Sequence, residues 1–225
     1  MDSHPRLRIE TSPPINRPST SNRRVFSEGQ YKADIGNGPL RVPESRIVAG
    51  LLLDGVTPEQ WNRAIVDRNL LQRRSAATAR RQALLIRSRL ETMDRGLWKM
   101  VRDGSLTVST QALFAAAIKH SPLLGDFVDL VVREQFSLFA KTLPRELWSR
   151  YLEVCQCRDP EIPPWAESTR RKLGQNVFQI LAEVGLIESI RSLTLRTIEV
   201  QREVLSYLRK QKEKRVLRCL QVCHG

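Results

Sequence analysis

Two stretches of this chain set cations beside small hydroxyls at the start of an expected helix. In "LLQRRSAATARRQALLIRSRLE", residues 70–91, Arg73 and Arg74 precede Ser75, and Thr78, Arg80 and Arg81 follow within two turns. In "ESTRRKLGQNVF", residues 167–178, Ser168 and Thr169 precede Arg170, Arg171 and Lys172, with Gln175 one turn further on. Guanidinium groups pair with phosphate or with the guanine edge, glutamine amides suit adenine, and serine or threonine hydroxyls suit phosphate oxygens. This is the chemistry of holding a polyanion, with no bond made or broken.

A solvated helix face usually carries acids among its bases, but no Asp or Glu lies between Arg73 and Arg89. The whole chain leans the same way: 37 Lys and Arg against 24 Asp and Glu give a formal charge of +13 and a pI near 10.3. That balance favours nucleic acid or an acidic membrane surface as partner.

Catalytic signatures are missing. The sequence holds no phosphate-binding glycine loop, nucleophile elbow or zinc-protease motif, so no enzyme, catalytic residue or cofactor is expected. Of three histidines, His4 lies near the N-terminus, His120 in a helix-end context and His224 beside the C-terminus. Cys155, Cys157, Cys219, Cys223 and His224 raise a zinc reading, but their spacing matches no standard structural site, and reduced thiols are expected instead.

The elements that must position the two basic stretches read as helices. Pro43 and Gly55 bracket a helix over 44–53, and Thr57, Pro58 and Gln60 form a capping-box start for one over 58–68. Ser75 caps a helix to about 93, in which Ala79, Ala83, Ile86, Leu90 and Met93 make one buried stripe. Further helices are expected near 95–102, 109–119, 123–140 and 144–156. A helix over 167–184 stops at Gly185, with Leu173, Val177, Ile180 and Val184 buried and Arg171, Lys172, Gln175 and Gln179 opposite.

"LIESIRSLTLRTIEV" then reads as two short strands, and helix followed by hairpin suggests a wing. The echo between 75–86 and 167–178 suggests two related modules, each with a capping hydroxyl before an Arg pair. The four tryptophans fit core packing better than base stacking, which favours a duplex over a single strand. No apolar run is long enough to span a membrane, and the N-terminus lacks the apolar core of a secretory signal, so a cytoplasmic protein is expected.

The blocks "ESRIVAGLLLDGV", "LLQRRSAATARRQALLIRSRLE", "ALFAAAIKHSPLLGDF" and "WAESTRRKLGQNVFQILAEVGLI" together resemble the BrxA family of bacteriophage-exclusion (BREX) systems, over about residues 31–208 and in the right order. The resemblance implies a small helical, non-enzymatic component of a phage-defence operon with affinity for duplex DNA. It also implies a methyltransferase, a phosphatase-like protein and a large ATPase as neighbouring BREX components. A NusB-like fold has been suggested for this family, which keeps an RNA-binding reading open.

The expected fold is mainly α, a helical body flanked by two helix-turn-helix-like modules, the C-terminal one winged with a small β-hairpin. Its divisions are a flexible basic arm (1–40), an N-terminal module (41–105), a central body (106–143), a C-terminal module (144–208) and a basic tail (209–225). The expected activity is double-stranded DNA binding through Arg73, Arg74, Ser75, Thr78, Arg80 and Arg81 on one helix and Ser168, Thr169, Arg170, Arg171, Lys172 and Gln175 on the other. The alternatives are a protein-interaction adaptor, docking other BREX components, and the NusB-like RNA binder.

Overall fold

The computed structural model of the chain describes residues 31–158 and 162–224. Residues 1–30, most of the expected arm with His4, lie outside the described residues.

The described chain is mainly helical, and its helices begin where local chemistry starts them. α1 (Val42–Asp54) has Pro43 in its first turn and ends at Gly55, whose φ of 64° lets its amide turn back to Leu51 and Leu52. α2 (Pro58–Asn62) carries the expected capping box: Gln60 N–H donates to Thr57 Oγ1 at 3.3 Å, and Thr57 N–H donates to Gln60 Oε1 at 2.8 Å. It continues as a wider π-turn over Arg63–Asp67. α3 (Ala76–Leu90) starts at Ser75, whose Oγ accepts from Thr78 N–H at 3.3 Å. The Ala79, Ala83, Ile86, Leu90 and Met93 stripe is buried throughout.

α4 (Arg95–Asp103) is capped by Asp94, and α5 (Leu106–His120) by Ser105. α5 is the centre of the molecule. Every residue from Val108 to Ile118 is buried, so this helix has no wet face and other helices must surround it. α1, α3, α4, α9, α10 and α11 all do so. α6 (Pro122–Asp126) and α7 (Arg133–Ser137) are joined by a π-helical stretch over Phe127–Val132. α8 (Glu146–Arg158) and α9 (Glu167–Val184) follow, and Gly185 at φ 87° ends α9 as expected. Phe127, Trp148, Tyr151 and Phe178 form an aromatic cluster, with Trp148 edge-on to Phe127 at 5.0 Å.

Several expectations need correction. Residues 31–40 are not the free end of an arm: Tyr31, Ile35 and Leu40 are buried, and a 3-10 turn (Ala33–Asn37) packs on α9. The segment after Leu208 is not a free tail either. α10 (Arg202–Lys210) is followed by α11 (Lys214–Leu220), and Val216, Cys219, Leu220 and Val222 are buried.

The two strands expected after α9 shrink to one antiparallel bridge, Ile187 with Leu195, closed by a turn in which Ser189 Oγ accepts from Arg191 and Ser192 amides. A second bridge, Thr142 with Thr194, adds the segment before α8 on the other side of the returning chain. Leu186 and Ile187 are buried on the outgoing side of the bridge, whereas Leu193 and Leu195 on the returning side are partly exposed. Among the described residues no helix is long and apolar enough to cross a membrane.

Candidate nucleic-acid interface

The first basic stretch is set by the turn before α3. Asn69 and Gln72 take left-handed φ values of 45° and 51°, and the Asn69 amide clamps Arg73, accepting from its N–H at 2.9 Å and donating to its carbonyl at 2.8 Å. This fold-back turns the Arg73 side chain inward to an ion pair with Glu44 of α1, half-buried, where burial lowers its pKa and nearby Arg41 adds to the fall. Arg73 is therefore part of the scaffold. Ser75 Oγ donates to Thr78 Oγ1 at 2.9 Å, so the Ser75 hydroxyl is already engaged at the start of α3. Arg74, Arg80 and Arg81 are exposed, and among the described residues no ion pair holds any of them.

The same helix shows what became of its other cations. Arg87 pairs with Glu91 at 2.7 Å and lies 4.9 Å over the Trp61 ring. Arg89 is buried, donating at 2.8 Å to the carbonyls of Gly38 and Pro39; burial pushes its pKa down to about 10, while Asp34 and Glu183 oppose the fall. Leu85 is buried, but Leu84 beside it is 58% exposed. It stands as a ridge between two hollows, a groove of about 700 Å³ bordered by Asp34, Arg80, Arg81 and His120, and a small one of about 190 Å³ against Trp61 and Ile65.

The second basic stretch opens α9. Its cap is Ala166 with no side-chain acceptor, so Ser168 is not the capping hydroxyl that the echo with α3 suggested. Ser168 is exposed and Thr169 half-buried. Arg170 leans back to Glu153 of α8 at 3.6 Å, and its carbonyl accepts from Trp148 Nε1 at 3.3 Å. Arg171, Lys172 and Gln175 are exposed on the outer face. Gly174 allows α9 to approach α8 this closely, because a Cβ there would sit 2.7 Å from Trp148 Cδ1.

Beside these cations lies a groove of about 660 Å³, which the sequence did not announce. Arg145 and Trp148 form one side, Arg170, Arg171 and Gln175 the other, and Ile190 from the bridge turn closes an end. Arg145 carries no helical-face signal in the sequence, and only the packing of α8 on α9 places its guanidinium 4.9 Å over the Phe178 ring. A pattern read along one helix cannot find such a residue.

One segment touches both basic helices. Tyr31 Oη donates to Asp126 at 2.7 Å, Ser121 Oγ donates to Asp34 at 2.6 Å, and Asn176 Nδ2 donates to the Ile35 carbonyl at 2.9 Å. Leu40 N–H donates to Glu183 at 2.7 Å, and Arg89 of α3 grips Gly38 and Pro39. Residues 31–40 thus act as a strap from α9 to α3. Burial raises the Asp34 pKa, against the Ser121 hydrogen bond and the nearby His120 charge, and burial lowers that of His120.

Neither cysteine pair forms a shared ligand set among the described residues, and burial pushes the Cys155 and Cys219 thiols up to about 11 and about 12. Such thiols are protonated at neutral pH and serve as packing.

Comparison with known proteins places the whole arrangement. The BrxA family model matches residues 29–212. A BREX protein BrxA of Paramagnetospirillum magneticum is 57% identical over 197 residues, 88% of this chain and 99% of that protein. A BREX protein BrxA of Escherichia coli O9:H4 is 32% identical over 186 residues, covering 83% of this chain and 87% of the relative. A crystal structure of an uncharacterized protein from Magnetospirillum magneticum, 56% identical, superimposes with a TM-score of 0.81 over 86% of this chain and 100% of its own.

Proposed function

The chain belongs to the BrxA family, and from that premise we propose that it serves BREX phage defence in the cytoplasm as a double-stranded DNA-binding accessory protein. It binds and positions; it does no bond chemistry. The observation that carries the reading is the set of exposed cations that no ion pair holds among the described residues, Arg74, Arg80 and Arg81 at the start of α3 and Arg171 and Lys172 at the start of α9. A helix entering a groove presents its first turns to the nucleic acid while its far side packs on its own core, and both helices are built that way.

The order of elements supports two modules. α2, a tight turn and α3 make a helix-turn-helix-like unit within 41–105. In the second, the chain runs from the Thr142 bridge through α8 and α9 to the Ile187–Leu195 bridge, with the returning segment between its two neighbours. A minimal wing has this arrangement, and its turn at Ser189–Ser192 lies beside the groove at the head of α9 through Ile190. Gln175 is the side chain here with base-reading chemistry, whereas Ser75 and Thr78 serve the start of α3 first.

With Arg73 and Arg170 turned toward Glu44 and Glu153, about five cations remain, which gives an expected log–log salt slope of about −4 to −5 on duplex DNA. The test is fluorescence anisotropy with a duplex across a salt series, for wild type, Arg80→Ala/Arg81→Ala and Arg171→Ala/Lys172→Ala. Loss of about two from the slope in each double variant supports two DNA-contact helices. Unchanged slopes in both assign these faces to another BREX component.

A further inference from the structure

The groove between α8 and α9 has more in it than a phosphate track requires. Arg145 is held from two directions: its guanidinium carbon lies 4.9 Å over the Phe178 ring, and its Nη2 donates to the Ile190 carbonyl at 2.6 Å. The residue itself is exposed and borders the groove. A guanidinium fixed in this way offers a flat surface for a planar heterocycle, as arginine does for unstacked bases. Pro39 and Ile190 add apolar surface to the lining.

The polar groups complete a nucleotide's complement. Gln175 on α9 brings an amide that can both donate to and accept from a base edge, whereas Gln179 is already bonded to the Glu183 carboxylate and Asn176 to the strap. Arg171 at the rim is exposed and, among the described residues, no ion pair holds it, so it is available to a phosphate. Glu167, one turn before Arg171 on the same helix, is the acid in the lining, and a phosphate on Arg171 must compete with it. At about 660 Å³ the space falls within the roughly 300–1,000 Å³ of small-molecule sites.

We infer that this groove takes one nucleotide unit, its base stacked on Arg145 and read by Gln175, its phosphate on Arg171. The same chemistry can come from a free nucleotide or from a nucleotide turned out of DNA. The inference goes beyond duplex binding and stands independently of it, because a fully paired duplex offers no unstacked base to this surface.

The test uses the full chain and two sets of probes. Titration calorimetry compares dAMP with deoxyribose 5-phosphate, and anisotropy compares a fully paired duplex, the same duplex with one unpaired adenosine, and one with an abasic residue at that place. The expected result is binding of dAMP at least tenfold tighter than deoxyribose 5-phosphate, lost in Arg145→Ala and also in Arg145→Lys, which keeps the charge but not the flat surface. If the source is DNA, the unpaired adenosine raises affinity about tenfold, the abasic residue removes the gain, and dAMP competes it away. If dAMP binds with that preference and the unpaired duplex gains nothing, the source is a free nucleotide. Equal binding of dAMP and deoxyribose 5-phosphate with no gain from the unpaired base overturns the inference. Failure of the paired duplex to bind while dAMP still does overturns the duplex reading alone.

Discussion

Helix α11 and helix α3 are both rich in arginine, and the fold uses them in opposite ways. On α11, Arg218 pairs with Asp129 and Arg215 with Asp126 at 2.5 Å, both acids buried on the α6–α7 stretch, and Lys119 reaches Glu213 just before it. Those cations fasten the C-terminal helix to the body. On α3, Arg80 and Arg81 face outward, as does Arg74 just before it, and α3 has no acid within its own length. A charge of +13 is thus not one property but two: a set of cations neutralised by the fold and a set left available to a polyanion.

The largest expected effect comes from Arg89, the deepest of the first set. Arg89→Ala strands the Gly38 and Pro39 carbonyls and cuts the strap from α3, and a loss of about 3 kcal/mol in denaturant unfolding is expected. A loss below about 0.5 kcal/mol would show that the strap holds without it.

Next is the comparison itself. Arg80→Ala/Arg81→Ala should leave unfolding free energy within about 0.5 kcal/mol of wild type and lower the DNA salt slope by about two. Arg215→Ala/Arg218→Ala should do the reverse, lowering the melting temperature while leaving most of the slope. If both pairs behave alike, the division between the two helices is wrong.

Asp129→Asn probes the same clamp from the acid side. The carboxylate is buried, and although burial works to raise its pKa, Arg218 and Arg133 hold it below the ordinary 3.8. A depressed pKa means stability present above the unfolded value and lost as pH falls through the folded one. Because Arg218 is largely exposed, the expected loss near neutral pH is about 1–2 kcal/mol, less than for a fully buried pair. The variant should also flatten the acid limb of a urea-unfolding series below pH 4.

The smallest effect concerns His120, which faces Asp34 and Lys32 of the strap and Arg89 of α3. Burial holds its pKa below 6.5, so as pH falls through 6.5 the unfolded chain takes up the proton first and stability declines until the folded-state pKa is reached. Asp34 runs the other way: its raised pKa makes the folded state keep a proton from 3.8 upward, which costs stability as pH rises through that window. His120→Gln should therefore remove the decline just below pH 6.5 and leave the acid limb in place. An unaltered profile would assign that decline to other groups.

Sequence by itself determined the parts of this protein that local chemistry dictates. Thr57 with Gln60, Ser75 and Gly185 marked helix ends because capping involves neighbours three or four residues away. The stripe from Ala79 to Met93 was legible because helical periodicity repeats within one element, and the exposure of Arg80, Arg81, Arg171 and Lys172 follows from being opposite such stripes. The family blocks were legible for the same reason, as contiguous runs of residues.

Tertiary structure alone decided which charges are free. Arg73 meets Glu44, Arg170 meets Glu153, Arg218 meets Asp129 and Tyr31 meets Asp126, partners too far apart along the chain for any local pattern to join them. The strap over 31–40 and helix α11 looked loose because each carries too few apolar residues to bury a core alone, yet Tyr31, Ile35, Leu40 and Val216 need only a core that other segments have built. Burial is a property of the assembled surface, and a sequence read along one segment at a time holds only that segment's share of it.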